Sequence, residues 1–359
     1  MKFSIVLGTR PEIIKMSPII RECERLGLDY FILHSGQHYS YNLDRVFFEQ
    51  LRLPEAKYNL EVGSGTHAEQ TGKILMGVEK VLSEEKPDLV LVEGDTNTVL
   101  AGALAAVKIG VSVGHVEAGL RSYDRFMPEE INRVLADHCS DLLFAPTEKS
   151  RQTLLGEGIP DKKVFVTGNT VVDAVFQNLE LSGSKMDILG NLGLSAGSYF
   201  LTTVHRQENV DNPQRFQGIL KGLEMVQKEF SLPVIYPIHP RAQKQMSAFG
   251  YKIEGIRLVE PLDYLRFLQL ERGAKLILTD SGGIQEEACI LGVPCVTLRY
   301  NTERPETLDV GANVLAGTEP TEIVKRTRYM LNKSTNWENP FGDGRAGERI
   351  VQILRDRLG

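Results

Sequence analysis

Histidine, arginine and carboxylate side chains stand directly after apolar runs along the whole chain. Gly8-Thr9-Arg10-Pro11-Glu12 follows the first run and Ser35-Gly36-Gln37-His38 the second. Gly94-Asp95-Thr96-Asn97 follows the third, and the fourth ends in His115-Val116-Glu117-Ala118-Gly119. In the second half, His205-Arg206, His239-Pro240-Arg241 and Asp280-Ser281-Gly282-Gly283 hold equivalent places. Loops are polar and helices need caps, which accounts for Thr, Ser and Asp one at a time. It accounts poorly for repeated His, Arg and Glu in both halves.

Two of these stretches fit an anion. At Ser281-Gly282-Gly283 the glycines are expected to let the backbone approach a ligand and to adopt conformations closed to residues with a Cβ. The helix starting there would offer unpaired N–H groups and a positive dipole end, as phosphate requires. Glu287 follows one turn on, where it could accept bonds from ribose hydroxyls. The loop is neither GxGxxG nor GxxxxGK[ST], and a plain helix start explains it equally well. At GTRPE, Pro11 suits the first helical position. Arg10 beside a helix N-terminus is unfavourable unless an anion lies between them, and Lys15 adds a second cation one turn on. A surface salt bridge from Arg10, for instance to Glu12, is the competing explanation.

The carboxylates ask for different chemistry. Asp95 and Glu117 end neighbouring β-runs, and PEEINR supplies Glu129, Glu130 and Arg133, with Arg133 on the face of Glu129. Several acids beside a phosphate site bind an anion badly. They are well suited to moving protons at carbon, one group removing and another supplying. Glu130 reads as a helix cap or surface acid.

Such residues need a scaffold. Apolar runs at 3–7, 30–34, 88–93, 111–116, 141–145 and 163–167, then at 199–204, 233–238, 256–260, 275–279, 293–298 and 313–316, alternate with helical patterns. Runs this apolar suit strands covered on both faces, joined by right-handed crossovers. The expected fold is α/β, with two Rossmann-like doubly wound domains over residues 1–169 and 170–344 and the 345–359 helix packed back on the first. The first run reads as a strand, not a signal peptide. A net charge of −6 argues against non-specific nucleic-acid or anionic-membrane binding. Cys23, Cys139, Cys289 and Cys295 form no CxxC pair, so they read as reduced core cysteines of a cytoplasmic protein, and no zinc-ligand spacing occurs.

GTRPEIIKM, GDTNT, GHVEAGLRS, PEEINR, PTEKSR, TGNTVVDA, HRQEN, DSGGIQEE and TERPE occur in that order from residue 2 to about 348. Together they resemble the non-hydrolysing UDP-N-acetylglucosamine 2-epimerases. The resemblance implies a glycosyltransferase-B type fold with its active site in the cleft between domains, a homodimer, and interconversion of UDP-GlcNAc and UDP-ManNAc without metal or cofactor. The implied route is anti elimination of UDP to 2-acetamidoglucal, followed by re-addition. The implied catalytic acids are Asp95, Glu117 and Glu129, with Lys15 and His205 as helper cations. The implied nucleotide contacts are Arg10, Arg133, Ser281, Gly282, Gly283 and Glu287. Bacterial members bind a second UDP-GlcNAc as activator, and Gln37, His38, Lys73 and His239 fall at that site. YSYN after His38 departs from the usual REML, Lys73 stands where arginine is usual, and HPRAQ lacks the asparagine-proline that often follows the histidine. The activator requirement is therefore not expected to carry over intact. The competing readings are a hydrolysing epimerase releasing UDP and free ManNAc, a glycosyltransferase on the same fold, and a sugar-nucleotide sensor. The three carboxylates speak against the sensor.

Overall fold

A computed structural model describes residues 2–37, 41–183 and 187–358. Every run anticipated above forms a strand. In the first half these are β1 (Lys2–Leu7), β2 (Asp29–His34), β4 (Leu89–Glu93), β5 (Ser112–Val116), β6 (Leu142–Ala145) and β7 (Val164–Val166), with an unanticipated two-residue β3 (Tyr58–Asn59). In the second they are β8 (Phe200–Thr203), β9 (Val234–Pro237), β10 (Ile256–Val259), β11 (Leu276–Thr279), β12 (Cys295–Thr297) and β13 (Asn313–Leu315). All neighbours pair in parallel. Central strands such as β4 and β11 are buried along their whole length, which is why they read as unbroken apolar runs rather than alternating ones.

The first sheet has the order β3-β2-β1-β4-β5-β6-β7 and the second β10-β9-β8-β11-β12-β13. Each winds outwards in both directions from its centre. The direction reverses between β1 and β4, and again between β8 and β11. Helices leaving these strand pairs go to opposite faces, so a crevice opens at the carboxyl ends, where open α/β sheets bind ligands.

The chain forms two compact units, residues 1–177 with 341–359 and residues 178–340. The division falls inside the helix Thr170–Gly183, eight residues beyond the boundary placed after residue 169. An intact helix carries the chain across, so the boundary has no loop signal. The helix Ala346–Leu358 belongs to the first unit: Ile350, Val351 and Leu354 are buried, and Gly347 lies against Pro18. Asp173 fixes its start by accepting from the amides of Ala346 (3.1 Å) and Gly347 (2.9 Å). Among the described residues no helix is long and apolar enough to cross a membrane, and no group of three or more His, Cys, Asp or Glu is placed to hold a metal. The four cysteines are unbridged, and burial pushes the Cys23 and Cys289 thiols up to about 12.

Candidate active site

On the first unit the polar residues gather around the β1/β4 switch point. A Cβ at Gly8 would overlap Ser35 Oγ and Thr98 Oγ1, which bond each other at 2.8 Å, so glycine is needed for this close approach. Glu12 is not a surface partner of Arg10. Its buried carboxyl accepts from the amides of Gly8 (2.5 Å) and Thr9 (2.9 Å) and from the Thr96 hydroxyl, tying the loop after β1 to the loop after β4. Burial raises its pKa to about 7 against the pull of those donors. Arg10 opens the helix Arg10–Leu26 with its guanidinium 5.7 Å from the Phe47 ring centre.

One turn on, Lys15 reaches carboxylates. Its ammonium pairs with Glu117 and lies 3.2 Å from Glu93. Glu93 ends β4 and Glu117 follows β5. Glu93 is opposite Val116 in the ladder, and both acids reach the one ammonium. Glu117 has φ +68°, a left-handed conformation that costs a non-glycine residue about 1–3 kcal/mol and clusters at functional sites. Burial drives the Glu93 pKa well above the usual carboxylate range, with Lys15 opposing and Glu117 adding to the rise.

Asp95 pairs with Arg133, and Asn132 Nδ2 donates to the Asp95 carbonyl at 3.0 Å. Arg133 also pairs with Glu130 at 3.0 Å. Glu130 is not a surface acid. It is buried and accepts from Ser122 N, Ser122 Oγ and Tyr123 N, each at 2.9 Å. It thereby clamps the preceding loop onto the helix Pro128–Cys139. Glu129 is partly exposed on the first turn of that helix. Behind this group, buried His115 has Asp137 Oδ1 at 2.7 Å from one ring nitrogen and the Gly94 carbonyl at 2.8 Å from the other. Burial alone would lower its pKa, but Asp137 and these acceptors raise it.

On the second unit the loops after β8 and β11 meet at buried Asp280. Its carboxylate accepts from the amides of His205 (3.1 Å) and Arg206 (3.0 Å) and from Asn209 Nδ2 (3.1 Å). His205 Nδ1 is 3.5 Å from Asp280, and its ring centre is 5.6 Å from that of His239. Burial lowers the His205 pKa, with Asp280 opposing and His239 and Arg206 adding to the fall. The surroundings of His205 thus favour its neutral imidazole.

Ser281 precedes the helix Gly282–Leu291. Neither Gly282 nor Gly283 has a positive φ, so the expectation of a conformation closed to other residues does not hold. A Cβ at Gly282 would find nothing nearer than Glu303 Oε2 at 3.7 Å and Arg206 Nη2 at 3.8 Å. The glycines leave the helix start uncovered; they do not relieve strain. Burial would raise the Glu303 pKa, but Arg299 and Arg206 outweigh it and hold it down to about 2. Glu287 accepts from the Tyr264 hydroxyl at 2.9 Å, against buried Glu271.

The four residues matched to an activator site are spread across both units. Gln37 Oε1 accepts from Thr98 N (3.0 Å) and Thr98 Oγ1 (2.6 Å), at the start of the helix Asn97–Lys108. Lys73 is exposed on the helix His67–Glu85. His239 Nδ1 caps the helix Pro240–Phe249 through Arg241 N at 3.2 Å. His38 lies outside the described residues.

Sequence reasoning did not single out Glu93 or Asn209, and it named Glu12 and Asp280 only as members of their loops, without the anchoring contacts they make. The last carboxylate of an otherwise apolar run was the available signal for Glu93.

Two Rossmann-like units, each with its polar set at the sheet switch point, place the chain in the glycosyltransferase-B type class of α/β proteins. The UDP-N-acetylglucosamine 2-epimerase family matches residues 21–355, and the chain belongs to that family. It is 56% identical to the UDP-N-acetylglucosamine 2-epimerase of Methanocaldococcus jannaschii over 361 residues, 99% of each chain. A crystal structure of the Methanocaldococcus jannaschii UDP-GlcNAc 2-epimerase in complex with UDP-GlcNAc and UDP superimposes with TM-score 0.91, covering 99% of this chain and 100% of that one. The UDP-2,3-diacetamido-2,3-dideoxy-D-glucuronate 2-epimerase of Pseudomonas aeruginosa is 40% identical over 358 residues, 99% of each chain.

Proposed function

We propose that this protein interconverts UDP-GlcNAc and UDP-ManNAc by anti elimination of UDP to 2-acetamidoglucal and re-addition of UDP, with no free sugar released. The observation that carries this is the buried Lys15–Glu93–Glu117 group beside Asp95–Arg133 at the first switch point. C2–H is a weak acid, so its base must be pre-positioned and partly desolvated. Glu117, in its left-handed backbone and paired with an ammonium, is held in that way. Asp95 and Glu129 are the remaining proton-handling carboxyls, and Arg10 and Arg133 contact the nucleotide.

The second unit binds UDP. Breaking C1–O loads negative charge onto the β-phosphate. Amides at the start of the Gly282–Leu291 helix and the His205 imidazole stabilise charge that develops there. A phosphate beside His205 would favour its protonated form, so the ring charges as the diphosphate departs. Glu287 takes the ribose. The protein acts in the cytoplasm as a homodimer, and the altered residues around Gln37, His38, Lys73 and His239 favour a reaction that needs no second UDP-GlcNAc.

Proton NMR of UDP-GlcNAc with the protein in D₂O tests the reading. Loss of the C2 proton with new UDP-ManNAc signals is expected. Free ManNAc with UDP would replace it with the hydrolysing reaction. Exchange only at C2 of UDP-2,3-diacetamido-2,3-dideoxy-D-glucuronate would shift the substrate towards that of the 40% identical relative.

A further inference from the structure

Lys15, Glu93 and Glu117 bring one ammonium and two carboxyl groups into a nearly closed space. Side-chain exposure is 15% for Lys15, 2% for Glu93 and 4% for Glu117. The register places Glu93 beside Val116, and the left-handed turn at Glu117 just beyond β5 brings the second acid to the same ammonium. An ionised carboxylate only accepts hydrogen bonds, so two of them in contact present oxygen to oxygen. One proton turns that contact into a hydrogen bond. The ammonium makes its closest contact with Glu117. Glu93 Oε1, at 3.2 Å, has no well-directed hydrogen bond. Lys15 therefore favours a charge on Glu117 over one on Glu93.

We propose that Glu93 is a positioning residue whose protonated carboxyl donates to Glu117 and so fixes the Lys15–Glu117 pair for proton transfer at the substrate. Glu93 is closed off from solvent and acts through its two neighbours. The facing groups are Lys15 and Glu12 from the first helix and Glu117 after β5. Glu12 and Glu117 both disfavour a second charge on Glu93, and Lys15 alone favours it. The inference rests on the role given above to Glu117 and Lys15.

Glu93→Leu removes the donor while keeping bulk, and Glu93→Gln keeps a donor that cannot titrate. In the folded Leu variant, kcat for C2 proton exchange should fall about 10²-fold with little change in KM, as for a displaced reacting group. The acid limb of its kcat/KM profile should move up by about one pH unit, because Glu117 has lost a bond that favours its charge. The Gln variant should recover at least about a tenth of wild-type kcat and keep the limb in place. Wild-type kcat and limb in the Leu variant, or equal losses in both variants, would overturn the proposal.

If Glu93→Leu does not fold, an infrared difference spectrum of wild type against Glu93→Gln decides at neutral pH. A protonated-carboxyl C=O band present only in wild type supports the proposal, and its absence overturns it. This readout needs no substrate. A protein that shows the band but never exchanges C2 hydrogen would sink the proposed function and leave the Glu93 hydrogen bond standing.

Discussion

Glu117 combines a strained backbone, a buried carboxylate and an ammonium partner, and nothing in the fold itself requires the three together. Replacing it with glutamine keeps its shape and removes its basicity. Glu117→Gln should lower kcat for C2 exchange by about 10²–10⁴ and leave UDP affinity, read by calorimetry, nearly unchanged. Glu12 makes a different prediction. Its folded pKa of about 7 lies above the ordinary 4.5, so between those values the native state holds more protons than the unfolded chain. Its contribution to stability is fully present below pH 4.5 and is lost as pH rises towards 7, by up to about 3 kcal/mol. Urea unfolding of wild type against Glu12→Gln across this window should show that slope in wild type only. At this scale the residue types at strand ends were legible in the sequence, but their depth was not. Glu130 read as a helix cap or surface acid, and Glu12 entered only as the partner in a competing surface salt bridge from Arg10. Their burial depends on which loops the strand order brings together, and a linear pattern does not carry strand order.

At the scale of elements, the carboxyl end of β1 is where the packing is tightest. Gly8→Ala would push a methyl group into the Ser35–Thr98 hydrogen bond and displace the loop that Glu12 ties down. The expected cost is about 1–3 kcal/mol, read as a lowered Tm, with weaker substrate binding because Arg10 moves with the loop. The strands were legible because burial on both faces writes them as continuous apolar runs. Strand β3 was not, since two residues, Tyr58 and Asn59, give no periodicity. The Gly282-Gly283 pair does open a helix, as expected, but without the special backbone conformation expected of it. The sequence shows that side chains are missing there but not the φ values, and the open space over the helix start is the reason the structure supplies.

For the whole molecule, the helix Ala346–Leu358 closes the first unit after the chain has built the second. Removing residues 345–359 should strip Ile350, Val351 and Leu354 of their burial. At about 1.5–3 kcal/mol per buried side chain, the first unit should unfold at a markedly lower temperature while residues 178–340 keep their own transition. Differential scanning calorimetry would separate the two. A single cooperative transition displaced as a whole would show instead that the units do not unfold independently. The alternation of strands and helices made two domains legible. The exact handover inside the Thr170–Gly183 helix was not, because an unbroken helix carries no linker composition.

That handover and the return at Phe341 also order events during synthesis. All of residues 178–340 are synthesised before the segment that completes the first unit. Throughout that synthesis the first unit, begun earlier, still shows an unfilled apolar face beside Pro18. Slow translation through residues 178–340 would lengthen the exposure, although no residue of the second unit is at fault.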